Sequence, residues 1–573
     1  MGEESSAEAW DRLATEFVEG YFAAHPTFAA SCGRHEYDGR LPDWSPGGLA
    51  AEARRLADLR QRAIAVDGGQ LDGDRRLARE VLLTQADADL FWLDEAEWPA
   101  LNPLFYSSAL DPSLYVSRDY APAAQRAAAF VRFADEVPRA VAQMLGNFRQ
   151  AGRRLPDTFL DLGIASFAGL AGFCRDEVPA VFADQVGDQA LLGQVRAGGE
   201  AAAAAFETAA RWCADERPKG GDGGGGHGGG EYRLGAERFS RMLRATERID
   251  LPLDVIAAAG RRDLQRNLDA LTAACARYGQ GESVAACMAR VQASKPAEGP
   301  VAAARRQLGR LRGFLEEKQL VTVPRGGAGG DGGDGGSGGE TSEAQVEEAP
   351  PHQRWNSAYI EIPGPYDRHL PSIYYIAPPD PAWSAAEREA YLPGEADLLF
   401  VSAHEVWPGH FLQFLHSNRA PSEICRLFVG YGFAEGWAHY GEEMLWEAGF
   451  ADGDAETHIG QLQNALLRNV RLLVAIGLHR GEMTIAEAET MFRQQAFQDQ
   501  ASARQQAARA TFDPAYLNYT LGKLIIRKLR EDWLAAAPGR DWRGFHDGLL
   551  SYGGPPLPVV RSAMMNGDGG SLL

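Results

Sequence analysis

At 573 residues the chain exceeds what one hydrophobic core usually supports, so it should divide into subdomains or build one large composite fold. Hydrophobic residues at 45% and charged residues at 24% leave ample material for a core and exclude global disorder. With 57 basic against 78 acidic residues, the net charge of -21 repels a phosphate backbone and excludes nucleic acid as the expected partner.

The first residues, MGEESSAEAWDRL, lack a basic region followed by an apolar one, and no uninterrupted apolar stretch is long enough to span a bilayer. These features predict a cytoplasmic protein without a membrane partner. Cys32, Cys174, Cys213, Cys275, Cys287 and Cys425 form no CxxC pair, which predicts reduced, mostly buried thiols.

In chain order, residues 1–217 read as a helical scaffold. The stretches 120–150 and 190–213 are rich in Ala, Leu, Arg and Glu, with apolar residues recurring at three and four. A glycine tract at 218–230 reads as a loop, and residues 231–325 continue the helical pattern. Within that continuation Asp250 is the expected N-cap of a helix with Pro252 in its first turn. A glycine-rich and acidic loop covers 326–349. Residues 350–573 read as a small sheet plus a helical metal-binding region, the whole forming one composite fold. The short β-branched and aromatic runs Leu320 to Val323 and Ile373 to Ala377 predict strands, the second a candidate edge for aligning an extended peptide.

The chemistry concentrates in Leu398 to Leu415, LLFVSAHEVWPGHFLQFL. In the familiar HExxH motif, two histidines four apart project from one helix face and grip one metal, while the Glu reaches the metal-bound water. Here His404 and His410 are six apart, which on an ideal helix leaves their side chains about 120° apart. Pro408-Gly409 is a helix-breaking pair, and a loop-out at 407–409 would restore the four-residue geometry. The simpler alternative is two unrelated histidines in a broken helix.

A third ligand is expected from Phe433 to Glu443, FAEGWAHYGEE, where Glu435, His439 and Glu442 share one face. Glu435 is favoured because aromatic neighbours suggest burial. His439 reads as ligand or supporting residue, whereas Glu442, Glu443 and Glu447 have the usual pattern of a solvated helix face.

On these residues the sequence resembles the bacterial family called domain of unknown function 885, whose members carry the zinc-peptidase motif HExxPGH and a later EGWAxY. Here they stand as His404 to His410 and Glu435 to Tyr440. The likeness also takes in Gly33 to Asp43, Leu234-Gly235, Leu251-Pro252, Arg471 to His479 and Tyr519 to Lys523, nearly the whole chain. The resemblance implies a mainly α, gluzincin-like metallopeptidase fold with a small β element near the cleft. It implies one Zn2+ per chain held by His404, His410 and Glu435, with Glu405 as general base. Ala475 stands where the resemblance would place an Asp, which puts a supporting carboxylate from that helix in doubt.

By analogy with helical zinc peptidases, His479, Tyr516 and Tyr519 are candidate donors to the oxyanion, His479 having the competing role of a core histidine bonded to a carbonyl. Lys523, Arg471 or Arg354 could hold a substrate carboxylate. The expected activity is zinc-dependent hydrolysis of short or unfolded peptides, as a carboxypeptidase, dipeptidase or oligopeptidase. The alternatives are an amidase acting on a non-peptide metabolite and a catalytically silent metal-binding scaffold. Glu405, which would contribute nothing to ligation, argues against the silent one.

Overall fold

The computed structural model describes residues 5–217, 231–279, 281–324, 343–350, 354, 357–567 and 570–573. The glycine tract at 218–230 and residues 326–342 of the second loop lie outside the described residues. The chain divides into two compact units, residues 1–234 with 363–370, and residues 235–362 with 371–573.

The first unit is helical throughout its main body. Helix α1, Ser6–Ala24, opens with a capping box in which Ser5 and Glu8 satisfy each other's backbone donors. Helices α2 (Ala123–Ala151), α3 (Asp157–Gly172) and α4 (Gln189–Glu216) pack around Phe130, Phe133, Phe148, Phe167 and Phe206. Contrary to the sequence expectation, the run Asp157–Gln185 is long and apolar enough to cross a membrane by length and composition. Its residues Leu160, Phe167, Phe173 and Phe182 belong to the unit's core, so burial among helices accounts for their apolar character.

The second unit carries the predicted chemistry. Helix α5 spans Leu253–Tyr278 and begins at Pro252, not at Asp250. The N-cap expectation is corrected because Pro252, fixed near the extended region, sets the turn into the helix, and Asp250 instead pairs with Arg244. Helix α6 spans Pro300–Lys318. The expected strand at 320–323 does not form: Thr322 gives its backbone N–H and its hydroxyl to Asp547, and the Leu320 carbonyl accepts from His546, so side chains take the groups a neighbouring strand would use.

Three short strands make one sheet: β1 (Ala344–Glu348), β2 (Ala358–Glu361) and β3 (Ser372–Ile376), in the order β1-β3-β2. Strand β1 therefore occupies the end of the segment read as a loop. Strand β3 is parallel to β1 and antiparallel to β2, so the apolar run at 373–377 is central, not an edge. Five helices complete the site region: α7 (Glu395–Glu405), α8 (His410–Ser417), α9 (Tyr431–Glu447), α10 (Ala455–Arg480) and α11 (Asn518–Ala535). The expectation of a mainly helical chain with a small β element holds. All six cysteines are free and buried.

Two glycine contacts explain how α9 and α11 come together. A Cβ on Gly436 would lie 2.6 Å from the Gly522 backbone, and one on Gly522 would lie 2.2 Å from the Gly432 carbonyl oxygen. Only glycines allow backbones this close. The crossing brings Glu435 of α9 beside the turn of α11 that carries Tyr519.

Candidate metal centre

Helix α7 stops at Glu405 and α8 starts at His410, with a short turn between them. Across this turn the Gly409 N–H bonds the Ala403 carbonyl at 2.9 Å and the Leu412 N–H bonds the Val406 carbonyl at 3.3 Å. Each bond spans six residues where a regular helix spans four, so the two extra residues are looped out and the helical track resumes. A Cβ at Gly409 would sit 1.6 Å from the His404 carbonyl oxygen, which restricts this position to glycine. The Trp407-Pro408 peptide is cis. Helix α9 clamps the turn: the Trp437 indole N–H donates to the Pro408 carbonyl at 2.8 Å, and Gly441 makes room for the Pro408 ring.

The loop-out brings the His404 and His410 rings to 4.8 Å between centroids, at 84° to one another. Ligand atoms of His404, Glu405 and His410 lie within 4.8 Å of one another, a group able to hold a metal ion. Glu435 completes the cluster, its Oε2 lying 3.2 Å from His404 Nε2 and 3.5 Å from His410 Nε2. The opposite nitrogen of His404, Nδ1, lies 2.7 Å from Glu442 Oε1. With Nδ1–H donating to Glu442, loss of the Nε2 proton would turn that nitrogen's lone pair toward the cluster, the form a metal requires.

The electrostatics follow from burial and pairing. Burial opposes protonation of His404, but Glu435 and Glu442 outweigh it and raise its pKa to about 9. Burial raises the Glu405 carboxyl above the usual carboxylate range, and its Oε2 accepts from the Ile360 N–H of β2 at 3.2 Å. Burial also works to raise Glu435, yet the two histidines hold it well below the ordinary value. Arg468 and the histidines likewise override burial at Glu442 and lower it.

The solvated-face reading of Glu442 and Glu443 is corrected. Glu442 is 0% exposed and joins His404 to Arg468, whose Nη1 donates to it at 3.0 Å. Glu443 is buried against Lys523, Arg266 and Arg527. His439 is fully buried, with Nδ1 3.6 Å from Glu442 Oε2, and burial lowers its pKa to about 4. Its contact is thus with Glu442 and not with the shared oxygen of Glu435. The carboxylate supporting His404 comes from α9, while Ala475 of α10 is fully buried.

The downstream candidates separate. Tyr519 stacks on His404 at 6.2 Å and 20°. Arg471 lies over the Tyr519 ring at 4.8 Å and over Tyr516 at 5.7 Å. Tyr516 donates to the Gln506 carbonyl and is buried beneath Arg471 and Arg509. His479 is not brought to the cluster: it sits about 16 Å along α10 from Arg468, and its Nε2 bonds the Ala510 carbonyl at 2.9 Å. Lys523 is 0% exposed and paired with Asp263 at 2.7 Å and Glu443 at 2.9 Å, which removes it from substrate binding. Arg354 is taken by the Ala349 carbonyl and Glu348. Arg468, which the motif reading missed, had one available signal: it stands three residues before Arg471 on the same helix.

Fold and cluster together define a large, mostly helical protein with a candidate metal centre built from histidines and carboxylates. Within that class the chain belongs to the family of bacterial proteins of unknown function DUF885, whose model matches residues 26–564. It is similar to a solved "putative lipoprotein of unknown function" from Shewanella oneidensis, with 20% identity, a TM-score of 0.77, and coverage of 98% of this chain and 100% of that one. A second similar structure, a "putative lipoprotein" from Colwellia psychrerythraea, has 19% identity and a TM-score of 0.77, covering 98% of this chain and 99% of its own. The M32 carboxypeptidase from Deinococcus radiodurans R1 matches at a TM-score of 0.39 and 12% identity, over 99% of this chain and 96% of its own. No curated protein matches the sequence. The expectation of a cytoplasmic protein is contradicted by these two full-length matches, both of them to proteins described as lipoproteins. That expectation rested only on the composition of the first residues and the lack of a spanning stretch.

Proposed function

We propose that the protein is a zinc-dependent hydrolase of peptide bonds, with His404, His410 and Glu435 as ligands and Glu405 as general base. The observation that carries this reading is the shared oxygen of Glu435, which faces Nε2 of both histidines while Glu405 borders the same point. Two imidazoles and one carboxylate suit zinc and leave a position open for water. A zinc ion bound there would polarise the scissile carbonyl and lower the pKa of water.

The chain's own residues supply the rest. Glu405, its pKa held up by burial, takes a proton from the attacking water and passes it to the departing amine. The Ile360 N–H orients the carboxylate by holding one oxygen. Glu442 fixes the His404 ring and Arg468 fixes Glu442. Tyr519, packed against His404, is the oxyanion donor best placed of the three residues considered.

The test is metal content and turnover in parallel. Chelator-free protein should carry about one zinc per chain, lost in His404→Ala. Glu405→Gln should keep the metal and lose hydrolysis of a peptide library. Absence of metal under loading conditions, or full turnover by Glu405→Gln, would sink the reading.

A further inference from the structure

The cations around the centre are neutralised with one exception. Arg468 is paired with Glu442, Arg509 with Asp513, and Lys523 with Asp263 and Glu443. Arg471, among the described residues, has no carboxylate partner. Its Nε donates to Gln506 Oε1 at 2.9 Å, and its guanidinium lies across the rings of Tyr519 and Tyr516. Asp513, which also feels the Arg471 charge, is bonded to Arg509 at 2.9 Å and to the Tyr431 hydroxyl at 3.3 Å.

Arg471 is half-buried, and a partly desolvated guanidinium without an anion carries an uncompensated cost until one arrives. Burial accordingly disfavours the charge of Arg471, and the neighbouring Arg468 and Arg509 add to the penalty. The Gln506 bond fixes the edge of the fork, leaving two Nη groups for bidentate contact with a planar carboxylate. One aromatic ring, Tyr519, separates this fork from His404. That interval is within reach of one or two residues of extended substrate at about 3.5 Å each.

Resting on the hydrolase reading for its chemistry, we propose that Arg471 binds the free C-terminal carboxylate of the substrate, so that the enzyme removes residues from the carboxyl end of short peptides. Arg468 cannot take this role without abandoning Glu442, and Lys523 is sealed inside its ion pairs. The stack on Tyr519 couples the two tasks, because the ring that supports the carboxylate receptor also packs on a proposed metal ligand.

The test compares N-acetylated tripeptides in pairs, one member with a free carboxylate and the other with a carboxamide. Binding to zinc-loaded Glu405→Gln protein is measured by calorimetry, and hydrolysis is measured with the wild type. The free acids should bind at least tenfold more tightly than the amides, as loss of one charge-assisted contact implies. Adding Arg471→Gln to the Glu405→Gln protein should erase that ratio while leaving amide affinity unchanged, and Arg471→Lys should retain part of it. A general structural defect would weaken both members of a pair. Equal affinity for acid and amide, no binding by the acids, or an unchanged ratio in Arg471→Gln would overturn the proposal. A preserved acid preference with no hydrolysis by the wild type would overturn the hydrolase reading and leave the carboxylate site standing.

Discussion

Glu442 Oε1 stands 2.7 Å from His404 Nδ1, and the same carboxylate receives Arg468 at 3.0 Å through its other oxygen. This arrangement fixes the orientation of the His404 ring. Removing the carboxylate frees the ring and leaves Arg468 facing an empty site. Glu442→Ala should therefore weaken zinc affinity by about 10- to 100-fold, the usual effect of losing such a partner. Competition with a chelating dye measures it directly, and affinity equal to wild type would refute the assigned role.

The α9–α11 crossing predicts a stability effect separate from chemistry. A Cβ on Gly436 meets the Gly522 Cα at 2.6 Å, and backbone cannot move aside as a flexible side chain can. Gly436→Ala should cost about 1–3 kcal/mol or more through overpacking. It should also impair metal binding, since Glu435 is the preceding residue and would be displaced. Urea denaturation together with zinc content checks both effects; wild-type stability in this variant would disprove the close-packing argument.

Part of this site was legible in the sequence. The Pro408-Gly409 pair announced that the six-residue spacing of His404 and His410 would be reset by a loop-out, and the hydrogen bonds at Gly409 and Leu412 show the two residues absorbed. The roles of Glu442 and Glu443 were not legible, because adjacent glutamates on a helix look the same whether water or buried arginines face them. Glu442 did share a helical face with Glu435, but its partner Arg468 comes from another helix, and pairings across helices leave no local pattern. His479 shows the reverse: analogy with helical zinc peptidases suggested chemistry, while its place after an apolar run pointed to a core histidine bonded to a carbonyl, and the Ala510 carbonyl takes that bond. The strand expectation at 320–323 failed for a similar reason, since Asp547 and His546 are remote in sequence.

Lys523 tests whether a buried charge serves structure alone. It bonds Asp263 and Glu443, while Arg266 and Arg527 also contact Glu443 and Asn469 contacts Asp263. Lys523→Met leaves two buried carboxylates short of one partner and should cost roughly 3 kcal/mol, less than the full penalty because those other donors remain. The preference of the site for free-acid over amidated peptides should be unchanged. A loss of that preference in folded, zinc-loaded Lys523→Met would show that this lysine, too, contributes to substrate recognition.

Glu247 gives a pH dependence away from the metal cluster. It is 2% exposed, and its Oε1 accepts from the Gly432 N–H and the Asn518 amide, each at 3.1 Å. Burial raises its pKa to about 7, and the Gly432 bond only partly opposes this. A raised folded-state pKa means the group's contribution is fully present below the unfolded value near 4.5 and is lost as pH rises through about 7. Wild-type stability should therefore fall relative to Glu247→Gln between pH 5 and pH 8, by roughly 3 kcal/mol in total. The glutamine keeps an acceptor for Gly432 and carries no charge, so the difference between the two proteins isolates this ionisation from every other titrating group. Urea denaturation of both at several pH values across the window provides the measurement. Parallel stability curves would mean that Glu247 ionises in the folded protein at its ordinary carboxylate pKa despite its burial, and a wild type that gains on the variant with rising pH would reverse the argument.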